Sequence, residues 1–341
     1  MKFLLRIFSL LTAVIFSQKT EAQFVKKVES MTIVVSEMQQ ALNFYTQILP
    51  FEKISDYELT GDSVELLENV FGCHIRKVGL QLGNEKIFLV DYLSTGGKAV
   101  PENSKSNDLW FQHLALVVSD MDKAYGMLHQ QSVTHVSNLP QTLPASIPAA
   151  AGITAFYFED PDHHILELIH YPPGKGDPKW QEKSDKLFLG IDHTAIGVSS
   201  TDASLKFYSG LLGLQLKGES FNSGKEQAHL NNVKNASLHI SGLRAENGPG
   251  VEFLQYLFPG PGGLYPADVS GNDLIAWQTC LRVDHIDQLW EQAKLYACRF
   301  VTQRPVLITE NNKTFKQGIL RDPDGHLLLL QENITGKTVS N

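Results

Sequence analysis

The stretch DHTAIGVSSTDASLKFY, residues 192–208, decides the fold because the chain carries it twice. Residues 29–45, ESMTIVVSEMQQALNFY, run in step with it at an offset of 163, with Ser30 where His193 stands. Further pairs keep the spacing: LLENVFGCHIRKVGLQL at 66–82 with HLNNVKNASLHISGLRA at 229–245, NDLWFQHLALVV from 107 with NDLIAWQTCLRV from 272, and DPDHHILELI from 160 with DPDGHLLLLQ from 322. Offsets stay between 162 and 165, so the two halves are copies of each other.

Each half is itself double. An apolar strand followed by an amphipathic helix opens four units, at residues 30–49, 113–129, 193–212 and 278–295. Ala41, Leu42, Phe44, Tyr45 and Leu49, and again Leu205, Phe207, Tyr208 and Leu212, fall at helical spacing. Later in the units come short runs rich in β-branched and aromatic residues, KIFLVDYL, ITAFYFED, ILELIHY and VEFLQYL, punctuated by Gly, Pro and Asn. The pattern predicts one strand, one helix and about three strands, four times over. The fold class is α+β, with four βαβββ modules.

With ALNFYTQIL and SLKFYSGLLGL after an opening strand, and FEDPDHHILEL and LRDPDGHLLLL before a closing one, the chain resembles the vicinal oxygen chelate superfamily of glyoxalases, extradiol dioxygenases and bleomycin-resistance proteins. The resemblance covers about residues 27–333. It implies two cupped mixed sheets and one divalent metal, Zn, Ni, Fe, Mn or Co, held in a cup. Its ligands would come from the first strand and the fourth strand of each module. Aligned repeats put Ser30, His113, His193 and Gln278 at the first place, and Phe88, Glu167, Glu252 and Leu329 at the second.

The residues give independent support to the middle two modules. In ILELIHY, Ile165, Glu167 and Ile169 share one strand face and Leu166 and Leu168 the other, so Glu167 is a carboxylate in a strand apolar on both sides. Glu252 stands likewise between Val251 and Phe253. Burying an ionised carboxylate costs several kcal/mol unless a charge or donors compensate it, so a cation should face each one. His113 and His193 lie in equally apolar strands, and imidazole with carboxylate is a recurrent ligand set for transition metals. His113, Glu167, His193 and Glu252 are therefore the expected metal ligands, with room for water as in an open catalytic site. A hydroxyl, an amide and two apolar side chains at Ser30, Gln278, Phe88 and Leu329 make no such site. One cup is intact and its twin is lost, which requires modules two and three to share the metal cup and one and four the degenerate one. Single-chain glyoxalases of four modules resemble that arrangement; extradiol dioxygenases pair one with two and three with four.

His163 stands where the family usually has Gly, and with His164 it is read as part of a solvated turn. Cys280 and Arg282 share the strand face of Gln278 by the period of two. The glycines of NGPG and FPGPGG lack the strand-then-helix context of a phosphate loop, and the second loop is a candidate rim over a cup.

A net charge of −8 without any basic run argues against nucleic acid or anionic lipid as partner and for a small-molecule substrate. Lys2 and Arg6 before the apolar run 7–17, closed by Thr20, Glu21 and Ala22, form a signal-peptide pattern over residues 1–22, too short to span a bilayer. The mature protein is expected to be periplasmic or secreted, free of the membrane and a monomer. Its modules would occupy 23–108, 109–176, 177–271 and 272–341. Three scattered cysteines are too few for a disulfide framework, though an oxidising compartment allows one bridge, and are read as small buried residues.

Three functions follow. The first is an enzyme of glyoxalase type, a lyase, isomerase or epimerase acting on a small α-hydroxycarbonyl through a metal-bound enediolate, with Glu167 or Glu252 as catalytic base. The second is an Fe(II) extradiol-type dioxygenase, for which two His and one carboxylate suffice. The third is a non-catalytic protein that sequesters a small molecule.

Overall fold

A computed structural model describes residues 23–334; the signal peptide expected at 1–22 lies outside them. Module one contains β1 (Val25–Val34), α1 (Met38–Asn43), β2 (Glu52–Leu59), α2 (Asp62–Glu68), β3 (Ile75–Leu82) and β4 (Glu85–Tyr92). Module two contains β5 (Gln112–Val118), α3 (Met121–Gln130), β6 (Gln141–Thr142), β7 (Thr154–Glu159) and β8 (Ile165–His170). Module three repeats module one as β9 (Phe188–Gly197), α4 (Thr201–Leu205), β10 (Gln215–Ser223), α5 (Lys225–Asn231), β11 (Ser237–Arg244) and β12 (Gly250–Phe258). Module four has β13 (Gln278–Val283), α6 (Ile286–Ala293), β14 (Arg299–Phe300), β15 (Val306–Glu310), β16 (Lys313–Arg321) and β17 (Leu327–Asn333). Helices α2 and α5 are additions to the expected pattern. Val64 and Leu67 on α2, and Gln227, Leu230 and Asn231 on α5, are buried, and a left-handed Asn, Asn69 or Asn232, ends each helix.

The strands form two mixed sheets. One runs β10-β11-β12-β9-β5-β8-β7-β6 and joins modules two and three; the other runs β14-β16-β17-β13-β1-β4-β3-β2, with β15 on β16, and joins modules one and four. The pairing is the one the ligand arithmetic demands. At each sheet's centre two opening strands meet antiparallel, β5 with β9 and β1 with β13. Strand alternation then sorts side chains between the main core and the cup. Leu114, Leu116, Leu166 and Leu168 enter the core that holds the sheets and helices together, while Ala115, Val117 and Ile169 pack on the opposite face.

The most recognisable motifs serve this packing. Tyr45 of ALNFY donates to Asp160 of the first DPD at 3.0 Å, and Tyr208 of SLKFY donates to Asp322 of the second at 3.0 Å. The other oxygen of each aspartate accepts backbone amides of its own turn, Asp160 from Asp162 and His164, Asp322 from Asp324, Gly325 and His326. Each pair ties a module of one sheet to a module of the other within the same half. Burial and the adjacent carboxylate raise both phenols well above the ordinary tyrosine value, so they remain donors.

Candidate metal centre

His113 on β5, Glu167 on β8 and His193 on β9 converge in the cup of modules two and three. Their ligand atoms all lie within 4.8 Å of one another. The His113 and His193 Nε2 atoms are 3.3 Å apart, and Glu167 Oε2 stands 3.2 Å from the first and 3.5 Å from the second. Glu252 on β12 flanks the group, with Oε1 3.7 Å from His193 Nε2. It is the most open of the four, its side chain 25% exposed against 1–6% for the others.

The three-residue group fits a divalent cation. Two ligand atoms about 2.1 Å from one ion, at tetrahedral or octahedral angles, lie about 3.0–3.4 Å apart, and the separations of 3.2, 3.3 and 3.5 Å lie at the upper end of that range or just above it. Glu167 Oε2 and His113 Nδ1 are buried without a hydrogen-bond partner, a costly state for polar atoms that a bound cation at Glu167 relieves. Burial and the Glu167 charge raise the pKa of Glu252. Burial opposes protonation of His193, but Glu252, the Asp192 hydrogen bond and Glu167 outweigh it and push its pKa up to about 9. Burial leads the first shift and the surrounding carboxylates the second.

Asp192, which sequence reasoning passed over, orients His193. The period of two would place it on the opposite face, but β9 carries a bulge there: His193 and Ile191 pair with the consecutive residues Ala115 and Leu116, leaving Asp192 as the extra residue. Its carboxylate accepts from His193 Nδ1 at 2.9 Å, Tyr171 Oη at 3.1 Å, Trp180 Nε1 at 2.7 Å and Arg244 Nη2 at 2.9 Å. Arg244 Nη1 also donates to the Asp192 carbonyl at 2.8 Å. With Nδ1 as donor to Asp192, Nε2 is the nitrogen turned to the cluster. These donors, with Arg244's charge, hold the Asp192 carboxyl well below its ordinary value despite burial.

In the other cup Ser30 pairs with Cys280 and Thr32 with Gln278, as His193 pairs with Ala115 and Ala195 with His113. Phe88 pairs with Thr32 and Leu329 with Cys280, as Glu252 pairs with Ala195 and Glu167 with Ala115. The expected twin positions are therefore equivalent rung by rung. Here Lys77 Nζ donates to Glu310 at 2.8 Å and lies 4.8 Å above the Phe88 ring. Tyr57 and Gln317 donate to Glu310 at 2.7 and 2.8 Å. Gln278 and Tyr92 donate to Glu68 at 2.8 and 3.2 Å. A void of about 20 Å³ is left between them, barely room for one water.

The remaining candidates divide. His163 lies in a left-handed turn, exposed, 2.6 Å from Glu159, as a solvated turn requires. His164 departs from that expectation: it is buried between Asp160 and the Leu274 carbonyl, at 2.9 and 2.7 Å. Cys280 is buried on the twin-cup face, whereas Arg282 points outward, 3.9 Å from Glu29. The FPGPGG loop is strapped to the segment before β5, its Gly260 carbonyl accepting from Asn107 and its Gly263 amide donating to Asp108. The three cysteines are free, Cys298 only partly buried. A cavity of about 750 Å³ lies beneath residues 99–106 and reaches Phe111, Ile165 and Asn231, next to His113. Among the described residues no helix is long and apolar enough to cross a membrane.

Comparison with known proteins supplies the relatives. No curated protein sequence matches the chain. Glyoxalase I from Zea mays superposes with a TM-score of 0.61 at 14% identity, covering 90% of this chain and 92% of that one. A putative dioxygenase from Bacillus subtilis superposes with a TM-score of 0.55 at 12% identity, covering 94% and 92%. At such identities the likeness concerns the fold. The family model described as Glyoxalase/Bleomycin resistance protein/Dioxygenase superfamily matches residues 27–168 and again 190–330, and the chain belongs to that superfamily.

Proposed function

We propose that the protein is an exported, metal-dependent enzyme of glyoxalase type, an isomerase, lyase or epimerase that moves a proton on a small α-hydroxycarbonyl. The observation that carries this is the convergence of His113, Glu167 and His193 beside the more open Glu252. His113, Glu167, His193 and Glu252 would hold the cation. When bound, it supplies charge that draws on two adjacent substrate oxygens and acidifies the neighbouring C–H. Glu252 takes that proton and returns it one carbon away: it is the more accessible of the two carboxylates and has a raised pKa, the condition for a base that works in both directions. Glu167, buried between the imidazoles, stays in place and balances charge. Export rests on the pattern of residues 1–22, and a monomer on a chain that builds both cups itself.

A second assignment draws on one specific fact. The tight group is two His and one carboxylate, with the second carboxylate farther out, the set that serves Fe(II) in oxygenases. One experiment separates the two. Protein recovered from the export compartment without chelators is analysed for metal, then incubated in D2O with α-hydroxycarbonyls and, separately, with catechol under oxygen. Deuterium incorporation without oxygen uptake, lowered about 10²–10⁴-fold in Glu252→Gln, supports proton transfer. Oxygen consumption with catechol overturns it, and absence of metal overturns both.

A further inference from the structure

The cup of modules two and three has a bare floor that its twin lacks. Gly218 on β10 pairs with Gly242 on β11, which pairs with Glu252 on β12. Partners across an antiparallel ladder share a face, so Glu252 stands beside two positions with no side chain. A Cβ on Gly218 would meet no atom within 4 Å, and one on Gly242 only the Gly218 carbonyl oxygen, at 3.9 Å. Neither glycine has positive φ, so the backbone does not demand glycine there. A glycine inside a strand weakens it and often marks the approach of a ligand.

The twin shows the same floor filled. The rung equivalent to Gly218, Gly242 and Glu252 is Ser55, Gly79 and Phe88. A Cβ on Gly79 would collide with the Ser55 hydroxyl and come within 3.0 Å of the Phe88 ring. On the next rung Tyr57 and Lys77 stand where the open cup has Ser220 and Ile240. At each position except the shared glycine the open cup carries the smaller side chain. Gly218, Ser220, Ile240 and Gly242 also bring no charge to a floor that begins at the most exposed of the four site residues.

We infer that this floor is the subsite for the non-reacting part of the substrate, and that it takes an uncharged, flat substituent such as an aryl ring laid on the bare peptide planes beside Glu252. The inference rests on the cation reading of the neighbouring cluster and adds the chemistry of the substrate's second half.

The test uses Co2+-loaded protein titrated with two oxygen chelators, acetohydroxamate, which has no arm, and naphthalene-2-hydroxamate, which has a flat one. The wild type should bind the naphthyl compound at least about tenfold more tightly, the gain from burying one ring. In Gly218→Val, and in the milder Gly242→Ala, that preference should shrink to within about twofold of parity, with cobalt content and acetohydroxamate affinity unchanged and the melting temperature no lower than that of the wild type. Equal affinity of the two chelators for the wild type would overturn the inference while leaving the cation site standing. So would a naphthyl preference that survives both variants, which would place the arm in the cavity beneath residues 99–106. Failure to take up cobalt, or to bind either chelator, would remove the cation reading and the subsite with it.

Discussion

Lys77 and Ile240 occupy the same rung of two cups built on one plan, and the contrast between them runs through the molecule. In the cup of modules one and four an ammonium belongs to the chain, clasped by Glu310 and roofing Phe88. In the cup of modules two and three an isoleucine stands at that rung, and among the described residues the carboxylates Glu167 and Glu252 are paired with imidazoles. A cup that encloses carboxylates needs positive charge. One is supplied from within and is closed; the other remains open to a cation from outside. Loss of a ligand set therefore goes with replacement of the charge it held.

That contrast would break most visibly at its first rung. His113→Ala should abolish stoichiometric metal and lower turnover by about 10³-fold or more, whereas Gln278→Ala, the same position in the twin, should leave both intact; elemental analysis and rate measurements decide, and metal retained in His113→Ala would end the distinction. Lys77→Met tests the other side. It strands the Glu310 charge and should cost about 3–5 kcal/mol in urea unfolding, most of it recovered in Lys77→Met/Glu310→Leu, with metal content constant throughout. Asp192→Asn should weaken metal affinity about 10–100-fold in a chelator competition, while Glu29→Gln, at the twin's own bulge, should not change it.

The gentlest probe is pH. In the metal-free chain the pKa of His193 is raised to about 9, so protonated His193 contributes stability that is complete below its unfolded value of about 6.5 and is lost as pH rises through 9. Metal must displace that proton, so affinity should climb by up to about tenfold per unit over the same interval. Metal-free protein should thus melt at lower temperature, and metal-loaded protein bind more tightly, as pH increases from 6.5 to 9. Scanning calorimetry with and without metal would show whether the two trends have opposite sign.

How much of this could be read from the amino-acid order depends on where each residue stands. His113, Glu167, His193 and Glu252 were legible because a fixed repeat offset aligned them and because each is a polar residue in an apolar strand. Their convergence then fixed which modules share a sheet. Asp192 was hidden by the same alternation that revealed His193, since only a bulge brings adjacent residues to one side. Lys77, Glu68 and Glu310 escaped because they lie outside the two ligand places and find one another across modules one and four, at separations of 233 and 210 residues for Lys77–Glu310 and Glu68–Gln278. The DPD and FY motifs, which made the family recognisable, turn out to clamp the two sheets. His164, a turn residue by its place beside His163, is drawn inside by that clamp.

The crossed pairing of modules has a consequence for the ancestry and engineering of the chain. Each half now contains one module with a His and a Glu and one without, and the site draws on the last module of the first half and the opening module of the second. Two copies of the first half, joined by the same crossed rule, would set His113 and Glu167 opposite Ser30 and Phe88 in both cups; two copies of the second would fare no better. Under that rule neither half would assemble the four-residue group as a homodimer, and a split protein would assemble it only as a matched pair of unlike fragments.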